Sequence, residues 1–302
     1  MPRELKGIII PAVTPFMESG EIDFAAMEHN YRKWSKTDVE GFMCLGSNGE
    51  FRSLTDDESF AVIKKAAELK GDRMLIAGIG RESLYHTLAF LDRLHEAKPA
   101  VDFVSVLTPC YFAGLMSDEA LVDYFTRVAD HSRYPVLLYC APTFVNNVCI
   151  SVDAVRTLAD HPNIYGIKDT SKVMMDDYMD AVGGREDFSV LAGSVGNLAK
   201  CLAKGGKGGV VSAANYFPSH CVDILKAFEK DGLQGAETHI AEVQRLAKAT
   251  GAKASVSTVK ATMNLVGLKG GYTRRPILPV KESVVEEIRT ALKAENLSDL
   301  FA

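Results

Sequence analysis

The chain has 302 residues, of which 47% are hydrophobic and 24% are charged, a composition typical of a globular protein with a large core. Its net charge of −5 argues against nucleic-acid or anionic-membrane partners. No apolar run approaches the roughly 20 residues of a membrane helix, and the first residues lack a signal-peptide pattern, so we expect a cytoplasmic protein without a membrane partner.

Short apolar runs alternate with amphipathic stretches along the first two thirds of the chain. Runs that are apolar on both faces are typical of strands in a buried parallel sheet. The predicted strands are Gly7–Val13, Gly41–Gly46, Arg73–Gly80, Val101–Pro109, Tyr134–Pro142, Ile164–Asp169, Phe188–Ser194 and Gly208–Asn215.

The stretches between these runs have helical periodicity and helix-start signals. Thr55 with Glu58 three residues later forms a capping box, and Ser117 is an N-cap candidate. Eight βα units in about 225 residues predict a TIM (β/α)8 barrel. A doubly wound sheet is the alternative, but it would more often carry a phosphate or dinucleotide motif. Gly78–Ser83 and Gly205–Ser212 lack the spacings of such motifs, so no nucleotide cofactor is expected.

No further strand is predicted after Phe217. Helical patterns cover Pro218–Lys230, Leu233–Thr250, Lys253–Val266 and, beyond a Pro/Gly-rich linker, Lys281–Glu295. The sequence therefore predicts a barrel over residues 1–217, which carries the active site, and a helical extension over residues 218–302 that packs on it.

Lys168 is an unusual residue because it lies at the carboxyl end of an apolar strand. Active sites of TIM barrels lie at these strand ends. A lysine in an apolar barrel mouth loses hydration, which disfavours the ammonium form, and a neutral amine can attack a ketone to form a Schiff base. In β alternation Lys168 shares a face with Gly166, which leaves space beside it. A solvated lysine, or one paired with Asp169, is the alternative interpretation.

Two further features lie at the carboxyl ends of the fifth and second predicted strands. Tyr139 ends the fifth strand and could face the barrel interior beside Lys168, where a phenol could transfer protons; a core-lining tyrosine is the alternative. Gly46–Phe51, with the sequence GSNGEF, ends the second strand. Its glycines and small polar residues allow backbone N–H groups to bind a carboxylate, and Ser47 could relay protons from Tyr139; a plain turn is the alternative.

Neither the cysteines nor the histidines form a metal-binding pattern. The six cysteines contain no C-x-x-C pair, so we expect mostly buried free thiols. The seven histidines contain no H-x-x-x-H or H-E-x-x-H pattern, so no metal is expected.

Together these segments resemble the dihydrodipicolinate synthase / N-acetylneuraminate lyase family of class I pyruvate-dependent aldolases. The resemblance covers nearly the whole chain. The matching segments are GIIIPAVTPF with GEID, GSNGE, YCAP, GIKDTS, AGSVGNLAKCLAKGGKGGVVSAAN and RRPILPV. It implies a TIM barrel with a C-terminal helical extension and a covalent imine in place of a metal or organic cofactor.

The resemblance also implies roles for particular residues. Lys168 would form the imine with pyruvate or another 2-oxo acid, and Tyr139 would be the acid/base. Ser47 would be the relay hydroxyl and, with Asn48 in the loop that begins at Gly46, would bind the carboxylate. Two further matches are Tyr111, which in many members crosses a dimer interface into a neighbour's site, and Val211, whose carbonyl would approach the lysine. Members are commonly homotetramers.

Two departures from the family pattern bear on the substrate. Cys140 replaces the asparagine of the Y-N-x-P motif, and Phe144 stands where true dihydrodipicolinate synthases have an arginine for the second substrate's carboxylate. The loop resembles that of 4-hydroxy-2-oxoglutarate aldolases, so we expect an aldolase acting on that compound or on a 2-keto-3-deoxy sugar acid. Dihydrodipicolinate synthase, N-acetylneuraminate lyase and a sugar-acid dehydratase are the alternatives, and a non-catalytic 2-oxo-acid binding protein is a further one of another class.

Overall fold

The computed structural model describes residues 3–171, 175–182, 185–249, 255–297 and 300–301. The predicted helix boundaries at Thr250 and Lys253 lie outside these residues. The strands are β1 Gly7–Pro11, β2 Gly41–Cys44, β3 Met74–Gly78, β4 Phe103–Leu107, β5 Val136–Cys140, β6 Ile164–Asp169, β7 Ser189–Ala192 and β8 Gly208–Val210.

Helices follow the strands in strict alternation until β8. Those of the outer layer are α1 Phe24–Trp34, α2 Asp56–Leu69, α3 Leu84–Ala97, α4 Asp118–His131, α5 Val152–Leu158, α6 Met175–Val182 and α7 Leu198–Ala203. Three more follow the last strand: α8 Pro218–Ala249, which changes direction at Gly232, α9 Val256–Leu265 and α10 Glu282–Ala294. The predicted caps are confirmed: Thr55 and Glu58 form the capping box of α2, and Ser117 accepts a hydrogen bond from the Ala120 N–H at the start of α4.

The eight strands form one closed barrel, in which each strand pairs in parallel with its sequence neighbours and β8 pairs with β1. The predicted TIM barrel is therefore confirmed. The strands are shorter than most of the predicted runs, because the chain leaves the sheet before the apolar pattern ends. The largest difference is at β8, which ends at Val210; Ser212–Asn215 form a 3-10 turn instead of continuing the strand.

Two glycines allow backbones to approach each other near the strand ends. A Cβ at Gly78 would lie 2.2 Å from the carbonyl oxygen of Leu45, which itself has a φ of +57° at the turn after β2. A Cβ at Gly166 would lie 2.3 Å from the carbonyl oxygen of Ser189 on β7. The prediction that Gly166 makes room for Lys168 therefore needs correction, because the β7 backbone occupies that space.

The C-terminal segment packs on the barrel through hydrogen bonds to α1. The Asn30 side chain donates to the Lys269 carbonyl and accepts from the Lys269 N–H, both at 2.8 Å. The predicted boundary at residue 217 stays a prediction. No helix among the described residues is long and apolar enough to span a membrane.

Candidate active site

Lys168 is buried inside the barrel. Lys168 is only 4% exposed. Its Nζ lies 4.1 Å from the ring centre of Tyr139 and 4.0 Å from the sulfur of Met43 on the opposite strand β2. Within the ranges that the structure describes, no carboxylate pairs with Nζ. The alternative of a solvated lysine is wrong because Lys168 is buried. The alternative of an ion pair with Asp169 is also wrong, because the carboxylate of Asp169 accepts hydrogen bonds from Ser171 instead.

Tyr139 and Lys168 are register partners on β5 and β6 and lie side by side. The Tyr139 residue is 3% exposed, and its hydroxyl lies 3.3 Å from the Ser47 Oγ, with either oxygen able to donate. The predicted proximity of lysine, phenol and serine is thus confirmed. A proton can pass from the phenol to Ser47 and from there to the cleft, while the amine faces the ring.

The turn that begins at Gly46 presents polar groups above this pair. In the described part of the chain, the backbone N–H groups of Ser47 and Asn48 donate to no protein acceptor, so both are available to a carboxylate. The Asn48 side-chain amide donates to the Ser212 Oγ at 2.7 Å, which connects the turn to the 3-10 turn after β8. This geometry suits the predicted carboxylate-binding role of Gly46, Ser47 and Asn48.

A cleft of about 660 Å³ opens above Ser47 and Asn48. Its remaining wall is largely apolar and comes from the barrel loops and the C-terminal helices, including Phe51, Phe144, Tyr216, Val256, Val259 and Ile277. Its two charged lining residues already have partners, since Glu50 pairs with Lys260 and Arg52 with Glu82. The cleft can therefore accept a molecule larger than pyruvate.

The loop that carries Tyr111 is held in place by Glu82. This carboxylate accepts hydrogen bonds from the backbone N–H groups of Cys110 and Tyr111, at 2.9 and 3.0 Å, and pairs with Arg52. Burial raises the pKa of Glu82, but these bonds outweigh it and leave the pKa below its usual value. Tyr111 is 78% exposed, and its ring packs edge-on against that of Phe112.

Val211 is buried between β8 and the following 3-10 turn. Its carbonyl accepts a hydrogen bond from the Ala214 N–H at 3.1 Å. The approach of this carbonyl to Lys168 stays a prediction.

The sequence reasoning missed a second buried lysine. Lys260 on α9 is 1% exposed, and its Nζ lies 2.5 Å from the carboxylate of Glu50, which follows Gly49 in the turn that begins at Gly46. It also donates to the carbonyls of Thr14 and Tyr272 at 2.7 and 2.6 Å. Burial lowers the pKa of Lys260 to about 8 against the opposing effect of Glu50. A lysine inside the apolar pattern of α9 was the signal that could have revealed it.

The two buried lysines have opposite environments, which separates their roles. Lys260 has an ion partner and two carbonyl acceptors, all of which favour its ammonium form. Lys168 has a phenol ring and a thioether beside it and no carboxylate partner within the described residues. Lys260 is therefore held in place by its protein partners, whereas no carboxylate among the described residues holds the amine of Lys168.

Arg274, in the RRPILPV segment, connects the extension to the start of α2. Its guanidinium makes two hydrogen bonds to the carboxylate of Glu58, at 2.7 and 2.8 Å. This bonding lowers the pKa of Glu58 to about 2 against the effect of burial. The backbone N–H of Arg274 donates to Glu50 at 2.9 Å, so the same residue also holds the turn that begins at Gly46.

Asp169, next to Lys168, is fully buried, and burial raises its pKa to about 6. An aspartate whose pKa rises from 3.8 in the unfolded chain to about 6 contributes stability below pH 4 that is lost as the pH rises through 6. We expect Asp169→Asn to raise the free energy of unfolding at pH 8 by about 1–3 kcal/mol and to leave it unchanged near pH 4. Denaturant unfolding at both pH values measures this.

The exposed Asp72 provides a matched control for this prediction. Asp72→Asn should shift the free energy of unfolding little at either pH. A destabilised Asp169→Asn variant at pH 8, or a gain of equal size at pH 4, would show that the buried charge carries no cost.

One group of metal-capable side chains is found among the described residues. Asp92 and His95 on α3 lie near His131 on α4, in the outer helix layer. The His95 Nε2 accepts a hydrogen bond from the Arg133 N–H, and burial lowers the pKa of His95. The group is part of the helix packing and is separate from the strand ends that carry Lys168.

Comparison with known proteins gives matches over nearly the whole chain. The model of the dihydrodipicolinate synthetase family matches residues 4–295. A DapA-like lyase of Thermococcus onnurineus is 30% identical over 295 residues, which are 96% of this chain and 99% of the relative. A DapA-like lyase of Halobacterium salinarum is 30% identical over 300 residues, 99% of this chain and 95% of the relative.

Solved structures have the same fold. Dihydrodipicolinate synthase from Thermotoga maritima superposes with a TM-score of 0.90 at 25% identity, covering 98% of this chain and 100% of that chain. YagE, a prophage protein of E. coli K12 solved in complex with pyruvate, superposes with a TM-score of 0.88 at 26% identity and the same coverage.

Proposed function

Because the chain belongs to the dihydrodipicolinate synthetase family and is an enzyme of the lyase/aldolase type, we propose that it cleaves or forms a 2-oxo acid through a Schiff base, with pyruvate as one product or substrate. The observation that carries the proposal is the buried amine of Lys168, 4.1 Å from the ring centre of Tyr139 and without a carboxylate partner among the described residues. YagE, which binds pyruvate, supports the choice of ligand.

The reaction needs one amine and one proton relay. The Lys168 Nζ attacks C2 of the 2-oxo acid, and water leaves to give a protonated imine. Tyr139, through Ser47, removes the proton of the C4 hydroxyl, and the C3–C4 electron pair moves into the imine as the aldehyde departs. Protonation of the enamine at C3 and hydrolysis of the imine release pyruvate and the amine. No step requires a metal or an organic cofactor.

Ser47 and Asn48 would hold the carboxylate of the 2-oxo acid with their free backbone N–H groups, which places its C2 toward Lys168. The rest of the molecule would lie in the cleft above. We propose 4-hydroxy-2-oxoglutarate or a 2-keto-3-deoxy sugar acid as the substrate type, on the resemblance of the GSNGEF turn. The hydroxyls of Ser53 and Ser194 in the cleft wall offer partners to a polar substrate.

Dihydrodipicolinate synthase activity is the second candidate, favoured by the solved relatives of that name. Phe144 argues against it, because this cleft-lining side chain is an exposed aromatic ring instead of a carboxylate-binding arginine. Loss of a charge-assisted contact of this kind weakens binding by about 1.5–3 kcal/mol. Pyruvate consumption with aspartate semialdehyde, measured beside pyruvate release from 4-hydroxy-2-oxo acids, separates the two activities.

We also propose that the enzyme is a cytoplasmic homotetramer. Tyr111 and Phe112 form an exposed aromatic pair beside the exposed Leu115, and an apolar surface of this kind is typical of a contact between subunits. In such an assembly Tyr111 would reach the neighbour's site. Sedimentation analysis that finds only monomers would contradict this assembly.

Borohydride trapping tests the imine itself. With pyruvate and borohydride, the peptide that contains Lys168 should gain the mass of reduced pyruvate. A protein that stays unlabelled while its fold is intact would refute the mechanism. A labelled protein that releases no pyruvate from any 4-hydroxy-2-oxo acid would exclude the aldolase and leave the synthase or a dehydratase.

Tyr139→Phe should lower kcat for carbon–carbon cleavage by about 10²–10³-fold, because the proton acceptor for the C4 hydroxyl is lost. Some imine should still form, since Lys168 remains. Single-turnover kinetics with borohydride trapping measures the two steps separately. Unchanged kcat would remove Tyr139 from the mechanism.

A further inference from the structure

Two free thiols lie in contact beside the proposed active site, and the reaction uses neither. Cys140 is the last residue of β5, directly after Tyr139, and Cys149 lies in the loop that follows. Their sulfur atoms are 3.2 Å apart. A disulfide bond is about 2.05 Å long, so a movement of about 1.2 Å would bring the sulfurs to bonding distance.

One side chain, Tyr178, contacts both sulfurs of the pair. The hydroxyl of Tyr178 on α6 donates to the Ile150 carbonyl and lies 3.4 Å from the Cys140 sulfur and 3.6 Å from the Cys149 sulfur. Tyr178 is completely buried. The phenol thus connects the strand, the loop and α6, and it keeps the two thiols facing each other.

The two thiols differ in access and in charge. Cys140 is completely buried, whereas Cys149 is half-buried, so an oxidant from solvent meets Cys149 first. The hydrogen bond from Cys140 lowers the pKa of Cys149 to about 7, which favours the reactive thiolate. The same contact raises the pKa of Cys140. Cys110, also half-buried, differs because burial and Glu82 raise its pKa.

We propose that Cys140 and Cys149 form a reversible disulfide when the protein meets a hydroperoxide. The Cys149 thiolate attacks the peroxide oxygen and becomes a sulfenic acid, while the peroxide is reduced to hydroxide or an alkoxide. The Cys140 sulfur then displaces the sulfenic oxygen as water, and the S–S bond forms. A dithiol reductant returns the two electrons and restores both thiols.

The disulfide would close the base of the loop that presents Phe144 to the cleft. Loop movement over a substrate commonly limits turnover, and a crosslink at the base restricts it. The consequence for catalysis rests on the function proposed above: oxidation should lower kcat/KM for carbon–carbon cleavage by about threefold or more. Imine formation with pyruvate should continue, because Lys168 and Tyr139 lie on strands outside the loop.

Peptide mapping tests the disulfide independently of activity. No lysine or arginine lies between the two cysteines, so trypsin releases both in one peptide, Tyr134–Arg156. After brief treatment with hydrogen peroxide this peptide should be lighter by two hydrogen atoms and should resist alkylation until dithiothreitol is added. Cleavage after Phe144 should then give two fragments that separate only on reduction.

Two variants complete the experiment. In Cys149→Ser the crosslink and the loss of turnover should both disappear, while Cys110→Ser should keep both. Alkylation of both cysteines after peroxide treatment, or loss of turnover in Cys149→Ser equal to that of the parent, would overturn the proposal. If the reduced protein forms no borohydride-trapped imine, the proposed function is refuted. The mass of the peptide still shows whether Cys140 and Cys149 form the disulfide.

Discussion

Lys168→Ala should lower kcat/KM for pyruvate release by at least about 10⁴-fold, because the amine that forms the covalent intermediate is lost. The same variant should gain no mass with pyruvate and borohydride. The fold should remain, since alanine at this position removes a buried amine that has no ion pair within the described residues. Pyruvate release, coupled to lactate dehydrogenase, measures the loss.

An exposed lysine provides the control for this prediction. Lys36→Ala, in the turn after α1, should keep full activity and full labelling. If Lys168→Ala still gains a borohydride-dependent mass, the imine forms on another lysine. In that case the environment of Lys260 would need to be reconsidered, because it is the other buried lysine described above.

Lys260→Met should destabilise the protein by about 3–5 kcal/mol, because it leaves the Glu50 carboxylate buried without its ion partner. The carbonyls of Thr14 and Tyr272 lose a donor in the same variant. Since Glu50 directly follows the turn that would bind the substrate carboxylate, KM should also rise. Denaturant unfolding and steady-state kinetics measure the two effects.

A double variant identifies the cause of this loss. Lys260→Met with Glu50→Gln removes both charges and should recover much of the lost stability. Lys226→Met, which breaks the exposed ion pair with Asp38, should change stability within the error of the measurement. Equal losses of stability in Lys260→Met and Lys226→Met would show that the buried ion pair stabilises the protein no more than the exposed one.

The sequence was sufficient for the barrel because its strands are local patterns. Each apolar run is buried on both faces, and alternation with helices leaves few topologies for eight parallel strands. The same regularity placed Lys168 beside Tyr139, since neighbouring strands in a barrel bring their carboxyl ends together. The strand ends were predicted too far along the chain, because apolar residues continue into the buried turns that hold Ser47 and Ser212.

The contacts that sequence reasoning missed depend on how separate segments meet in the folded chain. Glu50 and Lys260 are separated by about two thirds of the chain, and no local pattern connects a turn after β2 with a lysine on α9. The predicted burial of free thiols was correct for four cysteines, while Cys110 and Cys149 are half-buried. The contact between Cys140 and Cys149 depends on how the loop folds back onto β5, which apolar periodicity does not determine.

Arg274 and Lys260 connect the C-terminal part of the chain to the turn after β2. Both residues hold Glu50, and Arg274 also holds the first turn of α2 through Glu58. A laboratory search for altered substrate preference that randomises only the strand-end loops would therefore miss C-terminal positions that orient the turn proposed to bind the carboxylate. Grafting this barrel onto a foreign C-terminal segment should misalign the turn proposed to bind the substrate carboxylate, even where all eight strands are retained.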